Sequence, residues 1–269
     1  MLRFEDLDVG RVRPQIAEQQ AADLRWLGLD WDGDAVFQHD RLGGYARALG
    51  RLEAAGATYP CFCSRADIRA AAAPHGDEGP VYPGTCRAIP AEQAVARLAA
   101  GEPAALRLRL DGTVRWRDAI HGPQVDDLAS QCGDIVIRRR DGVVAYQLAV
   151  VVDDHAQGVT HVLRGDDLRG STGRQHRLRE LLGLLPHPEH AHVPLVVGGD
   201  GERLAKRHGV SSLRELRTAG VRPAEVVGRL AHVSGLAPTP EATTPGALVG
   251  TFSPGAIARG PTVLPSSLA

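Results

Sequence analysis

The chain predicts an α/β fold, on three observations from its first 56 residues. A short charged strand opens the sequence at Arg3-Phe-Glu-Asp-Leu-Asp8, a helical pattern follows at 15–27, and a second helical pattern at 41–55. This strand, helix, helix rhythm is that of layered α/β proteins. In the first helix Ile16, Gln20, Leu24 and Leu27 fall on one face, with Pro14 near the first turn and Gly28 at the end. In the second, Tyr45, Leu49 and Leu52 share a face and Gly56 closes it. The opening strand begins two residues after Met1 with no preceding turn or cap, and it carries Glu5, Asp6 and Asp8. The charged end of such a strand normally points into a site. The expectation is that earlier sequence, structural or catalytic, is absent before it.

The remaining elements follow in order. Residues 57–90 contain Pro60, Pro74, Pro80 and Pro83 and few long apolar runs, and a short helix is expected at 90–100. Alternation is strict on both sides of Asp111-Gly112, which predicts a hairpin over 106–117 with a three-residue turn. That hairpin would gather Arg107, Arg109, Arg115 and Arg117 on one face, either simply solvated or facing phosphates. A second Asp-Gly turn at Asp141-Gly142 lies within 134–152, and its apolar second arm leads into a buried strand or helix. A helix is expected at 172–183 and a strand at His192–Val197, with a mobile glycine-rich loop at Gly198–Gly201. Helices at 211–219 and 222–235 follow, and residues 237–269 read as a loosely packed or disordered tail.

Composition bounds the function. The 269 residues carry 43% hydrophobic and 23% charged side chains, as in a soluble globular protein of one large or two modest domains. No run approaches the roughly 18 apolar residues that span a bilayer, and no leader precedes a cleavage site, so a cytoplasmic protein without a membrane partner is expected. A net charge of −1 shows no global preference for nucleic acid, so such a partner would be held by local patches.

Three features carry chemistry. Three of the four cysteines, Cys61, Cys63 and Cys86, crowd together, which in a reducing compartment suits a metal better than disulfides. Three thiolates and a fourth donor, Tyr82 or His75, would fill a tetrahedral zinc shell; the competing reading is three incidental cysteines. Arg203-Leu-Ala-Lys206-Arg207 behind flexible glycines suits a loop that closes on polyphosphate, although a basic surface turn reads the same way. The acidic pairs Asp6 and Asp8, Asp153-Asp154 and Asp166-Asp167 could hold Mg²⁺ or an ammonium group, or be caps and loop residues. Tyr146 and Arg164 would form a carboxylate clamp if they converge.

In this order the features resemble the catalytic half of class I glutamyl-tRNA synthetases. The matching segments are Arg3–Asp8, Leu27-Gly-Leu-Asp-Trp-Asp32, Ala145–His155, Leu163-Arg-Gly-Asp-Asp-Leu168 and Arg203–Arg207, covering about residues 2–235. Within that group the chain is most similar to the shortened paralogues, the glutamyl-Q tRNA(Asp) synthetases, because at most a short tail stands where a large helical anticodon-binding region would follow. The resemblance implies a Rossmann-type nucleotide-binding fold with an inserted zinc-bearing subdomain. It divides the chain into a first, incomplete half at 1–58, the insertion at 59–133, a second half at 134–209, a helical stem-contact-like segment at 210–236 and the tail at 237–269. It selects Cys61, Cys63, Tyr82 and Cys86 as zinc ligands, over His75. It assigns the substrate ammonium to Glu5, glutamate binding to Tyr146 and Arg164, and the ATP pyrophosphate to Lys206 as the catalytic cation. The implied activity is formation of glutamyl-adenylate from ATP, with magnesium, and glutamyl transfer to the queuosine base of tRNA(Asp) by a monomer.

Two departures stand out. Arg203 and Ala205 replace a lysine and a serine of the family's closing loop, with its second lysine kept as Lys206. The family's His-Ile-Gly-His-type motif has no match. The alternatives are therefore a truncated synthetase charging a tRNA 3′ end, or an inactive remnant that binds glutamate or tRNA.

Overall fold

The structure, a computed structural model, describes residues 1–8, 10, 12–64, 66–68, 81–198, 200–201 and 212–263. Strand β1 (Arg3–Phe4) pairs in parallel with β2 (Val36–Phe37), and helix α1 (Pro14–Trp26) makes the crossover between them. Parallel neighbours require such a crossover, and the Phe4 and Phe37 rings stack 5.0 Å apart across the pair. Helix α1 starts and stops where its proline and glycine predict, but its expected apolar face is not a core face. Ile16 is exposed, and the buried residue is Ala21. A stripe interrupted by Gln20 offers little apolar area to bury.

Helix α2 (Leu42–Ala54) buries Tyr45, Ala48, Leu49 and Leu52, as its period requires. Strand β3 (Thr58–Cys61) then leads toward the cysteine segment, and helix α3 (Ala91–Ala99) follows. Next come β4 (Ala105–Leu108), β5 (Thr113–Asp118), β6 (Gly122–Asp127), the single-turn α4 (Leu128–Gln131) and β7 (Ile135–Arg138).

These strands overturn the hairpin expected at 106–117. β4 pairs antiparallel with β3 and β7, whereas β5 pairs with β6 on one side and, in parallel, with β9 (Glu189–Val193) on the other. Gly112 does turn the chain, with a φ of +78°, but the turn hands it from one sheet to another. The apolar positions fall inside as expected, with Leu106, Leu108, Val114 and Trp116 all buried, but burial alternates only along β5. Pleat parity reports which side chains face the core, and both strands face the same core; it does not report which strand is the partner. The arginine face is accordingly lost. Arg107 is buried, its guanidinium 3.6 Å from the centre of the Tyr82 ring, and Arg109 lies over Tyr59, while Arg115 and Arg117 are exposed on β5.

The second Asp-Gly turn exists, with Arg138 bridging Val144, and the apolar arm after it becomes helix α5 (Tyr146–Ala156). Leu148, Ala149, Val150, Val151 and Asp153 are all buried, so the helix is covered on most sides and shows no period. Strand β8 (His161–Gly165) pairs in parallel with β9, and helix α6 (Ser171–Leu182) packs on α2, α5 and β5. The strand expected at His192–Val197 is broken in two, β9 and β10 (Val196–Val197), around Pro194, which has no N–H for a ladder. One core joins α2, α5 and α6 to β4, β5 and β7; a second, smaller one holds Tyr59, Cys61, Phe62, Tyr82, Cys86 and Ala94. The buried Asp134 stands between them, accepting from the Tyr59 hydroxyl at 2.5 Å, the Leu110 N–H at 2.7 Å and Arg87 at 3.1 Å.

Helices α7 (Leu213–Thr218) and α8 (Pro223–Val233) form as expected, α7 with a capping box between Ser212 and Glu215. The tail departs from expectation. It contains helix α9 (Pro245–Val249) and strand β11 (Thr262–Val263), which pairs in parallel with β10. Gly228 of α8 lets the backbone at Glu241 pass directly over the helix, where any Cβ would collide with its carbonyl. Polar composition hid these anchors, since backbone pairing and one glycine contact leave little trace in residue type. Among the described residues no helix is long and apolar enough to cross a membrane.

Candidate active site

A cleft of about 660 Å³ opens between β1, α5 and β8, lined by Arg3, Glu5, Tyr146, Asp154, Gln157 and Arg164 beside the apolar Val150 and Leu163. The three residues expected to share a ligand therefore meet. Glu5 stands just past the end of β1, where a strand end delivers its side chain into a crevice. Tyr146 is the first residue of α5, 38% exposed, its phenol pushed up by what burial it has, with the neighbouring Arg164 charge opposing and Glu5 and Asp154 adding to the rise. Arg164 lies on β8 with its guanidinium tied down on several sides. It donates to His192 Nε2 at 3.0 Å, Gln175 Oε1 at 2.9 Å, the Leu168 carbonyl at 3.1 Å and Thr172 Oγ1 at 2.9 Å. Gln175 in turn donates to Gln147, the residue after Tyr146. One network thus holds both the arginine and the start of the tyrosine's helix. A fixed cation beside a phenol and a carboxylate can recognise a zwitterion with a carboxylate at one end and an ammonium at the other.

The acidic pairs are largely spent on the fold. Asp153 is fully buried and accepts from Gln38 at 2.9 Å, Arg41 at 2.6 Å and Tyr45 at 2.7 Å, fastening α2 to α5. Asp154 pairs with Arg3 at 2.8 Å, which also donates to Gln157 at 2.6 Å and so ties β1 to α5 at the cleft. Asp6 accepts from the backbone and ring of His39, Asp8 pairs with Arg139 at 2.8 Å, and Asp166 meets Arg169 at 2.9 Å and His121 at 3.2 Å. Lys206 and the rest of the basic loop lie outside the described residues, as does His75.

The thiols converge as well. Cys61, Cys63 and Cys86 place their sulfurs within 4.8 Å of one another, and among the described residues this is the one cluster of metal-ligating groups. Tyr82 stands beside it: its hydroxyl lies 3.4 Å from Cys61 Sγ and 3.9 Å from Cys63 Sγ, and it accepts from the Cys86 N–H at 2.8 Å. Cys63 and Cys86 approach to 3.5 Å. Burial and the Cys86 sulfur push the Cys63 thiol up to about 11, whereas at Cys86 burial is outweighed by donation from the Phe62 N–H and the neighbouring hydroxyl and thiols, which brings it down. Soft sulfur donors so close together, one already inclined to the thiolate, fit a tetrahedral metal site.

Sequence reasoning did not find Asp118, Thr172, Gln175 or His192. The available signal was His190-Ala-His192, two polar residues on one face of a strand in a buried layer.

The fold and this geometry belong together in a known class. Residues 1–239 match the model of the class I tRNA synthetases (E and Q), catalytic domain, and the chain belongs to that family. It is 50% identical, over 99% of its length and 85% of the relative's, to a protein of Symbiobacterium thermophilum named Glutamyl-Q tRNA(Asp) synthetase. A Nocardia farcinica protein of the same name is 49% identical over 98% of this chain and 82% of its own length. The same architecture is found in the glutamate-tRNA synthetase of Elizabethkingia anophelis, with a TM-score of 0.82 at 22% identity; the match covers 99% of this chain and 61% of that one.

Proposed function

We propose that this protein activates glutamate with ATP and transfers the glutamyl group to the queuosine base of tRNA(Asp). A glutamate carboxylate oxygen attacks the α-phosphorus of ATP, the bond to the β-phosphate bridge breaks, and pyrophosphate leaves. The queuosine acceptor then displaces AMP from glutamyl-adenylate. The observation that carries this reading is the convergence of Glu5, Tyr146 and Arg164 on one cleft in a chain about half identical to relatives named for the reaction. Glu5 holds the substrate ammonium, and Arg164 and Tyr146 hold a carboxylate, so the amino acid is bound by fixed opposite charges. Lys206 serves the phosphates, in company with magnesium on ATP, where charge develops in the transition state. Cys61, Cys63, Cys86 and Tyr82 would hold a structural zinc in a subdomain inserted at 59–133, and none of them lines the cleft. A ligand set of three thiolates and a phenolate supplies shape to that segment rather than an open catalytic position.

The test is glutamate-dependent ATP–pyrophosphate exchange by this chain, followed by transfer of labelled glutamate to tRNA(Asp) with and without queuosine. Exchange together with queuosine-dependent labelling is the expected result. Labelling of tRNA(Glu) alone, or exchange driven equally by glutamine and glutamate, would overturn it.

A further inference from the structure

Two residues that do not line the cleft, Asp118 and His192, stand behind Arg164. Both are 0% exposed, so their polar atoms must be satisfied inside the protein. Asp118 closes β5, and His192 lies in β9 beside it. Asp118 Oδ1 accepts from the backbone N–H groups of Ile120, at 2.8 Å, and His121, at 2.9 Å; its Oδ2 meets His192 Nδ1 at 2.6 Å. Across the ring, His192 Nε2 lies 3.0 Å from Arg164 Nε and 3.4 Å from Thr172 Oγ1.

The hydrogen positions in this chain of contacts have one solution. A carboxylate accepts and never donates, and a guanidinium donates and never accepts. His192 must therefore give its Nδ1 proton to Asp118 and take the Arg164 Nε–H at an unprotonated Nε2. A protonated ring would set N–H against N–H. Burial lowers the affinity of this imidazole for a second proton, in keeping with the neutral form. The outer nitrogens of Arg164 are held by Gln175, Thr172 and the Leu168 carbonyl; the first two can each offer a donor or an acceptor by rotating and the carbonyl only accepts, so none of the three selects the tautomer of His192.

We propose that Asp118 and His192 are positioning residues for substrate recognition: Asp118 selects the Nδ1–H tautomer of His192, and the bare Nε2 then sets the rotation at which Arg164 presents its guanidinium to the cleft. This rests on the reading that Arg164 contacts glutamate.

Asp118→Asn isolates the effect. The two backbone donors still require an oxygen, so the new amide nitrogen turns to His192 and donates to Nδ1. The ring proton then moves to Nε2 and faces the Arg164 Nε–H. The expected result is a rise in the glutamate KM of pyrophosphate exchange on the order of tenfold to a hundredfold, with the ATP KM unchanged. A purely structural role would depress all parameters together with thermal stability. Nitrogen-15 spectra of the histidines give a second readout. They should show His192 of the unaltered chain protonated on Nδ1 alone at neutral pH, and on Nε2 alone in the variant.

An Nε2–H tautomer or an imidazolium in the unaltered chain overturns the proposal, as does a reversed tautomer that leaves the glutamate KM where it was. Should the variant not fold, the spectrum of the unaltered chain decides. If the unaltered chain shows no glutamate-driven exchange, the reading of the cleft falls separately, and the same spectrum still reports whether the pair orients the arginine.

Discussion

The thiol cluster takes its donors from one stretch, Cys61 to Cys86, whereas the cleft gathers Glu5, Tyr146 and Arg164 from three elements separated by up to 159 positions, from 5 to 164. The difference lies also in how each is supported. The thiols rest on their own small core and on Tyr82 between them, and reach the main core through Asp134. The arginine is held by side chains from β9 and α6, and by a histidine and a carboxylate fully buried behind it. A site built from adjacent residues needs a ligand to complete it; a site built from distant ones needs the whole fold to stand still.

That contrast can be broken experimentally. The largest effect is expected from Arg164→Ala, which removes the cation of the cleft. It should lower kcat/KM for glutamate by roughly a thousandfold while leaving bound metal unchanged, because a charge-assisted pair to substrate is lost. Lysine should restore little, since it lacks the planar fork that the surrounding acceptors hold. Retained activity in Arg164→Ala, measured by pyrophosphate exchange, would separate the cleft from glutamate recognition.

Cys86→Ser should do the reverse. Metal analysis is expected to show loss of stoichiometric zinc, and denaturant melts a loss of stability on the order of 3 kcal/mol, with the glutamate KM little altered. A large rise in that KM would mean that the two regions are coupled.

A smaller, graded effect distinguishes the regions by pH. Behind the cleft, His176 and His190 pack around Trp116 and are each pushed down to about 3, by burial first and then by neighbouring positive charge. Their ordinary value is 6.5, so the unfolded chain binds protons there that the folded chain refuses. Their contribution to stability is complete above 6.5 and is lost as pH falls from there toward 3. For each ring the slope is at most about 1.4 kcal/mol per pH unit. Urea midpoints should fall between about pH 6.5 and about pH 5, and replacing both rings with glutamine should flatten that fall. A midpoint independent of pH over this range would show that the cluster opens to water.

Legibility followed the same division. The clustering of the cysteines was readable from their short spacing, whereas Tyr82 emerged only from resemblance; its hydroxyl lies 3.4 Å from Cys61 Sγ. Arg164 and Tyr146 were readable only as members of ordered segments. Asp118 lies one residue past the expected hairpin and His192 opens an expected strand, and nothing in either position announces a hydrogen bond across 74 residues. The 106–117 segment shows the limit most directly. Its alternation correctly separated buried Leu108 and Trp116 from exposed Arg115, yet β4 and β5 belong to different sheets.

By itself the sequence determined the α/β alternation, the buried face of α2, the apolar core positions of β4 and β5, the turns at glycine, the clustering of the thiols and the family, since these depend on local periodicity and on residue chemistry at short range. The tertiary structure alone decided which strands pair, that the tail folds back onto α8 and β10, and that Asp118 and His192 stand behind Arg164. Those are settled by contacts between distant segments, whose free energy depends on geometry that no local pattern encodes.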